Sequence, residues 1–591
     1  GPTDRLGIAP VSPSSGPYQE RLIDGDLYVV PMSAARQAAT DPDAFDVSAK
    51  LRGTATAPRS AQPNYPMRTV TLDVTDDRGD PASLVSLVVL NVDDSRKYQG
   101  SPTVIDGVAK ISAPDGHYAL LASQEVDDAE GAQTAEKVVF VDFTVDGAAT
   151  TVSVDLRAAT HLVSVSTPRA AAPVEQDLVW FRGSSDEDGV ADTIGALSGD
   201  VSLYLGSSAP AYGVQHLAIR QRLESPIGVA HPYLYDVRFP TEGAIGDDQH
   251  YQVRSADLTT VNTSYSSDVP ERVGMSLLSS LLPWEPYPDV EGNTVTQPLR
   301  RTEYLTATDS MVWKGDLFTS EGPGFEQLSG GYHSYRPGQH TVVSWLAGPV
   351  TPSFPTDTGL GWYGCPACRE GDTLSLSVSP LSDAEPDHSG GLAGGRNVTS
   401  ISRLRLYQDG NELADVPSSA TEVTVPPDPA GYRLVYDQTR ITPTTHLSTS
   451  AHVEWAFHSR HSASTTVPSR WSCSVDHPGD CSAVSLLTLN YRLRQTLSNS
   501  VHPGASNMRL AVAHTSGTPA LPIRTAALAV SFDRGQHWIP ASVARRQSNT
   551  FEARWTTPPS AVGSTISLRA TASDSMGNTI LETVLDAVAV S

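Results

Sequence analysis

The chain has 591 residues and a formal net charge of −25, a surface that repels nucleic acid and anionic membranes. Its 39% hydrophobic and 7% aromatic content fills several ordinary cores, the length suggests about four domains, and no apolar run is long enough to span a bilayer. The 45 glycines and 44 prolines fall between short apolar runs, which favours many turns and a mostly β fold over helix bundles.

Residues 1–62 form a separate opening. Gly1-Pro2 reads as a protease scar, from which a native leader is expected to have been trimmed. Leu27-Tyr28-Val29-Val30-Pro31 is a strand, Ser33 to Thr40 a short helix capped by Ser33, and Phe45-Asp46-Val47 another strand. Gly53 to Pro66, rich in Ala, Pro, Ser and Thr, is a linker. Residues 63–160 then alternate clearly. Val70, Leu72 and Val74 are separated by Thr71 and Asp73, and the turn Asp76 to Pro81 follows. Leu87 to Leu90 is a buried strand. Ile105-Asp106-Gly107 turns into Val108 to Ile111, Pro114 to Tyr118 turns into Ala119 to Leu121, and Val138 to Phe143 closes the segment.

Residues 161–345 are less regular. They hold strands at Val201 to Leu205 and Tyr233 to Phe239, and the pattern at Gly274 to Leu282 predicts a helix. Residues 346–500 show Leu404 and Leu406 leading into the hairpin turn Tyr407 to Asn411, a strand at Tyr432 to Tyr436, and Trp455 and Phe457 alternating with Glu454, Ala456 and His458. Leu486 to Leu489 leads on to Tyr491. Residues 501–591 end in a small sandwich. Ala527, Leu528 and Val530 precede the turn Asp533-Arg534-Gly535, and Trp538-Ile539 restarts the apolar pattern. Ile566, Leu568 and Ala570 alternate with Ser567, Arg569 and Thr571 before the turn Asp574 to Asn578. Such strands bury a face only against another sheet. The expected fold is therefore mostly β, in tandem sandwiches, with a small α+β segment at the start.

Two resemblances follow from these residues. Val74-x-Asp76-x-x-Gly79-x-Pro81, Asp106-Gly107 and Pro114-x-Gly116-x-Tyr118 together resemble the transthyretin-like sandwich found beside secreted carboxypeptidases, an accessory module. The immunoglobulin-like C-terminal end belongs to a second. Arg369-Glu370-Gly371-Asp372-Thr373, Leu404 to Gly410, Tyr432-Arg433-Leu434, Trp455 to Ser459, Trp471 with Cys473 and Cys481, Ser531 to Gly535 with Trp538, and Ser567 to Asp574 with Gly577-Asn578-Thr579 resemble the long C-terminal region of large secreted subtilisin-like serine peptidases of actinobacteria. Leu27 to Pro31 with Phe45-Asp46-Val47 looks like the tail of that family's propeptide. In the family a catalytic domain lies between these parts; here only seventeen residues, 51–67, separate Lys50 from Arg68. The H-G-T-H and G-T-S motifs of that domain are missing from the sequence.

Several stretches are candidate sites. Asp357-Thr358-Gly359 matches a protease aspartate, but Pro352 and Pro355 spoil the central strand that such an aspartate needs, so a loop turn is expected. His333 and His340 are seven apart, not the spacing of a helical zinc pair, and read as loop histidines. Asp186, Asp188 and Asp192 cluster hard oxygen ligands on a turn and admit calcium, against an acidic solvated loop. Cys365 with Cys368 and Cys473 with Cys481 read as two local disulfides in an oxidising compartment; the first pair precedes a turn and strand, which favours a structural clip over a redox dithiol. Ser531 to Trp538 fits an Asp-box hairpin brace. Trp284, Trp313 and Trp362, if exposed, would line a sugar or peptide groove; core packing is their other fate.

The sequence therefore points to a secreted, extracellular, non-catalytic β protein that binds a protein or extracellular polymer or has a structural role. The alternatives are a partner, fragment or propeptide-type inhibitor of a secreted serine peptidase, and an enzyme with its site in 161–345.

Overall fold

A computed structural model describes the strands Tyr18–Ile23 and Asp26–Pro31 and residues 66–591, apart from 148, 322–323, 355, 357–362, 394–398, 443–444, 463–466, 468–470 and 474–480. The described chain is nearly all strand, interrupted by short 3-10 turns such as Leu156–Ala158 and Pro559–Ala561. The opening strand read at Leu27 to Pro31 is present as Asp26–Pro31, paired antiparallel with Tyr18–Ile23. The helix and second strand expected before residue 50, and the linker up to residue 65, lie outside the described residues.

The chain divides into two units. The first comprises residues 1–164, 176–220 and 239–251. In it, Val108–Pro114, Met67–Thr75 and Thr150–Asp155 form a three-stranded sheet. A six-stranded sheet runs His161–Leu162, Ser202–Leu205, Gln133–Val145, Gly116–Asp127, Ser86–Asn91, Gln99–Gly100. This larger sheet is covered on both faces. Leu87, Val89, Leu120 and Phe143 pack with Val70, Leu72, Ile111 and Val154. Val88, Leu90, Leu121 and Phe140 face the other way, onto Leu178, Trp180, Leu217 and Ile219. The unbroken apolar run Leu87 to Leu90 follows from that double burial, since each successive side chain enters a different core. The turns are built as their residues require. Asp76 Oδ1 accepts the backbone N–H groups of Arg78, Gly79 and Asp80, each at 2.9 Å. Asp106 and Gly107 both take positive φ, 47° and 79°, the geometry of a tight two-residue hairpin. Tyr118 is fully buried and donates its hydroxyl to Pro114 O at 2.7 Å.

The second unit comprises residues 165–175, 221–238 and 252–591. Tyr233–Glu242, through its part in this unit, pairs with Leu299–Thr306, which continues to Leu258–Tyr265 and His340–Trp345. A second sheet runs Asp289–Gln297, Arg272–Leu281, Val312–Glu321, Gly324–Ser329, Ser389–Ala393, Ser379–Ser382, Thr351–Ser353, with His333–Ser334 added on Val312–Glu321. Tyr265, Val295, Leu317, Leu328, Trp345 and Leu381 form one core between these strands.

The helix expected over Gly274 to Leu282 is instead the strand Arg272–Leu281. Its burial alternates, with Arg272, Gly274, Ser276 and Leu278 inside and Val273 and Met275 exposed. Both edges are hydrogen-bonded, to Asp289–Gln297 and Val312–Glu321. A side chain at Gly274 would place its Cβ 2.8 Å from Phe318 O, so the glycine marks close strand approach.

The last part of the unit is organised on one long sheet. Its order is Asn411–Val416, Thr399–Gln408, Ala430–Ile441, Ser450–Ser459, Thr579–Val590, Thr565–Asp574, Ile523–Ser531, Ile539–Pro540. Leu374, Leu404, Trp455, Tyr491, Leu510, Val530, Phe551 and Ile566 share a single core beneath it. The expected hairpins are present at Asp409-Gly410 and at Arg534-Gly535, all four residues at positive φ. Cys365 is bonded to Cys368 and Cys473 to Cys481, with Cα–Cα distances of 6.0 and 6.4 Å. No free cysteine occurs among the described residues.

Candidate functional site: a histidine–carboxylate cavity

A cavity of about 540 Å³ opens in the second unit. Three strands and a loop contribute most of its charged and aromatic lining. The strand Val312–Glu321 contributes Trp313, Lys314 and Gly315. The short strand His333–Ser334 pairs back on it in the register Trp313 to His333, and His340–Trp345 supplies another wall. The loop Asp383 to His388 enters from the other side, fixed by its own side chains. Asp383 Oδ1 accepts Glu385 N–H at 2.9 Å and Asp383 Oδ2 accepts Leu346 N–H at 2.7 Å. Asn490 Nδ2 donates to Ala384 O at 2.9 Å.

The charged groups facing the cavity are held in pairs. His333 Nε2 lies 2.7 Å from Asp387 Oδ2, which also accepts Gly331 N–H at 3.0 Å. His388 Nδ1 lies 3.0 Å from Asp383 Oδ1, and its ring stacks on Trp345 with centroids 4.0 Å apart. Arg492 Nη2 donates to Glu385 Oε2. Lys314 Nζ lies 3.0 Å from Asp316 Oδ1. Glu303 Oε1 accepts Tyr265 O–H at 2.9 Å and Arg301 Nη2 at 2.6 Å.

Electrostatics follow from this packing. Burial works to raise the Asp387 carboxyl, but the His333 hydrogen bond, the two imidazoles and the Gly331 amide outweigh it and pull it down to about 2. Burial works to lower the His388 imidazole, and the surrounding Asp383, Asp387 and Glu385 carboxylates reverse that and raise it. Burial, the largest influence, raises Glu385 despite Arg492.

His333, expected as a loop histidine, has a side chain 41% exposed and is paired with Asp387, because the strand pairing with Trp313 holds the ring beside the 383–388 loop. His340 opens its strand at an exposed position. Trp284 and Trp313 are not exposed platforms: they are 6% and 2% exposed, and Trp313 Nε1 donates to Thr306 O at 2.8 Å. Asp357-Thr358-Gly359 and Trp362 lie outside the described residues.

The aspartates proposed for calcium sit on the hairpin that joins Ala172–Ser185 to Asp188–Ser198. They hold separate partners. Asp186 Oδ1 faces His216 Nε2 at 2.8 Å, and Asp188 Oδ2 accepts Ser184 Oγ at 3.1 Å. Burial pushes the Asp192 carboxyl up to about 6, against a hydrogen bond from the Thr193 amide. The Asp-box stretch is a hairpin brace as expected: Asp533 Oδ1 accepts Ser531 Oγ at 2.7 Å and His537 N–H at 2.9 Å. Its Trp538 is half-buried beneath the Arg569 guanidinium, 4.2 Å from the ring centroid.

A hydroxyl, an imidazole and a carboxylate also meet in the first unit, within the 161–345 stretch but at residues the sequence did not single out. Ser207 Oγ lies 3.0 Å from His161 Nε2 and donates to Asp247 Oδ1. Asp247 Oδ1 lies 3.4 Å from that same ring nitrogen, and its side chain is 81% exposed. A serine-peptidase relay places the carboxylate on the far nitrogen, away from the hydroxyl, and buries it. Here both oxygens crowd one nitrogen at the surface. The three residues are 46 and 40 positions apart, so no local motif announces them.

No family model and no curated protein matches this sequence. Among solved structures, the Bacillus anthracis TIE protein is similar over 67% of this chain and 75% of its own, at 8% identity and a TM-score of 0.11. Native E. coli alpha-2-macroglobulin is similar over 90% of this chain and 40% of its own, at 9% identity and a TM-score of 0.15.

Proposed function

We propose that this chain is a secreted, non-catalytic, multi-domain β protein with a binding role, related to the accessory regions of subtilisin-like peptidases. The observation that carries the binding role is the cavity of about 540 Å³ in the second unit. It has the size of small-ligand sites, and its facing side chains are fixed beforehand in ion pairs. Preorganised polar groups lose little freedom when a ligand arrives. The two disulfides suit an oxidising, extracellular setting. The test is retention of extracellular proteins and polymers on the immobilised chain, beside a fluorogenic protease assay. Retention without hydrolysis is the expected result.

The meeting of Ser207, His161 and Asp247, although not in the order of a serine-peptidase relay, is the observation behind a second reading, an enzyme with its site between residues 161 and 345. Hydrolysis that a serine-directed covalent inhibitor stops, and that Ser207→Ala abolishes, would put this reading first. Inhibition of added subtilisin that vanishes on deleting residues 1–62 would favour the peptidase-inhibitor reading.

A further inference from the structure

We propose that the cavity walled by His333, Tyr335, Trp345, Glu385, Asp387 and Arg492 takes a short, neutral oligosaccharide, an inference that rests on the binding role above. The first ground is charge. Each ionic group facing the space already has an opposite neighbour within the protein: His333 with Asp387, His388 with Asp383, Arg492 with Glu385, Lys314 with Asp316, Glu303 with Arg301. A phosphate or carboxylate ligand would meet Asp387 and Glu385, and an amine would meet Arg492 and Lys314. Either would have to draw a half-exposed His333 or Arg492 away from the largely buried carboxylate of Asp387 or Glu385, leaving that charge uncompensated. A ligand without charge separates neither pair.

The second ground is what those pairs leave over. Asp387 commits Oδ2 to both His333 and Gly331, and Glu385 commits Oε2 to Arg492, so each carboxylate keeps a second oxygen outside these bonds. Gln339 accepts Arg336 N–H through Oε1 at 3.1 Å, which leaves its amide N–H groups as donors. The Thr341 hydroxyl does both. Acceptors and donors thus both line one space, which ligand hydroxyls can satisfy, since each hydroxyl also donates and accepts.

The third ground is shape. Tyr335 and Trp345, both largely buried, border the cavity beside its polar groups and give apolar ring edge against which the C–H groups of a pyranose can lie. Glycines hold the wall back. A Cβ at Gly315 would lie 2.7 Å from Trp345 Cζ2, at Gly331 3.0 Å from Asp387 Oδ2, and at Gly330 3.4 Å from His388 Nε2. Larger residues there would push the ring and the carboxylate into the space.

The experiment is calorimetric titration of the full chain with maltotriose, cellotriose, xylotriose and tri-N-acetylchitotriose, with trilysine and triglutamate as charged counterparts, and tryptophan fluorescence as a second readout. At least one trisaccharide binds and changes the fluorescence, and neither charged peptide does. His333→Ala and Asp387→Asn each weaken that binding about tenfold or more, the loss expected for a hydrogen bond to a charged group. His333→Gln, which keeps a donor at the rim, retains more of it, and the far-ultraviolet circular dichroism of all three variants matches the parent. Binding of a charged peptide in place of the sugars overturns the ligand class and leaves the binding role standing. Sugar binding that is equally tight in His333→Ala and Asp387→Asn lies elsewhere and overturns the assignment. Silence from every probe overturns the oligosaccharide, whereas the binding role itself fails only if the immobilised chain also retains nothing.

Discussion

Glu326 shows how charge is handled inside the second unit. Arg272 Nη2 donates to its Oε2 at 2.8 Å and Arg440 Nη2 donates to its Oε1, with all three side chains buried. Burial works to raise the carboxyl, and the two guanidiniums overcome that and lower it. Glu326→Gln leaves two buried cations without their shared anion, and a loss of about 3–5 kcal/mol is expected in denaturant unfolding. Glu552 also lies between two arginines, Arg546 and Arg554, but both are exposed, so Glu552→Gln moves the midpoint far less. Glu582 is the opposite case. It is buried, burial is the largest influence on it, and it is pushed up to about 8 despite a hydrogen bond with Tyr491. A carboxyl raised on folding contributes stability that is full below its unfolded value of about 4.5 and is lost as pH rises through 8. Glu582→Gln is therefore expected to flatten the fall in unfolding free energy between pH 4.5 and 8, followed by denaturant titration at each pH.

Hairpin turns carry their own specification, and they differ in how closely they are packed. Gly107 has a φ of 79° and its missing Cβ would lie 2.7 Å from Pro81 Cβ; Gly410 has a φ of 87° with nothing within 4 Å. Gly410→Ala meets backbone strain alone, on the order of 1 kcal/mol. Gly107→Ala meets strain and a clash, and should be the more destabilising of the two by thermal or denaturant unfolding. Turns like these were legible from sequence because Asp-Gly readily takes positive φ in a two-residue turn, and the alternation of Val70, Leu72 and Val74 or of Trp455 and Phe457 was legible because only one face is buried. Gly274 to Leu282 misled for a physical reason. Its buried face is Arg272, Gly274 and Ser276, so polarity no longer reports which side is inside. The cavity was not legible at all. His333 and Asp387 are 54 residues apart, and no spacing rule connects two loops that meet only after their strands have paired. Of the two fates the sequence left to Trp313, packing prevails, its indole covered because its strand is central in the sheet.

At the scale of the molecule, sheets are shared between distant stretches of chain. The long sheet joins strands from 399–459 with strands from 523–590, and Leu374 and Ile566 lie in one core. The disulfides act locally within that region: Cys473–Cys481 closes a span of 8 residues, and restricting the unfolded chain to that extent is worth about 2–3 kcal/mol. Cys473→Ser with Cys481→Ser should lower the unfolding free energy of the second unit by that amount, read by denaturant titration. Both half-cystines border Trp471 and Val467, so loss of protection should appear first in hydrogen exchange around Ala367–Glu370 and Cys481–Ala483, which are paired strands.

The strand Thr579–Val590 pairs with Ser450–Ser459 on one side and Thr565–Asp574 on the other, and also receives Ser500–Val501. During synthesis, then, Ser450–Ser459 emerges from the ribosome more than a hundred residues ahead of the neighbour it will keep. Until Thr579 to Leu585 have been made, that strand presents a bare edge, the kind of surface on which nascent chains stick to one another. Closure of this region waits for a partner more than a hundred residues downstream, and in the interval the strand needs the cover that a chaperone supplies.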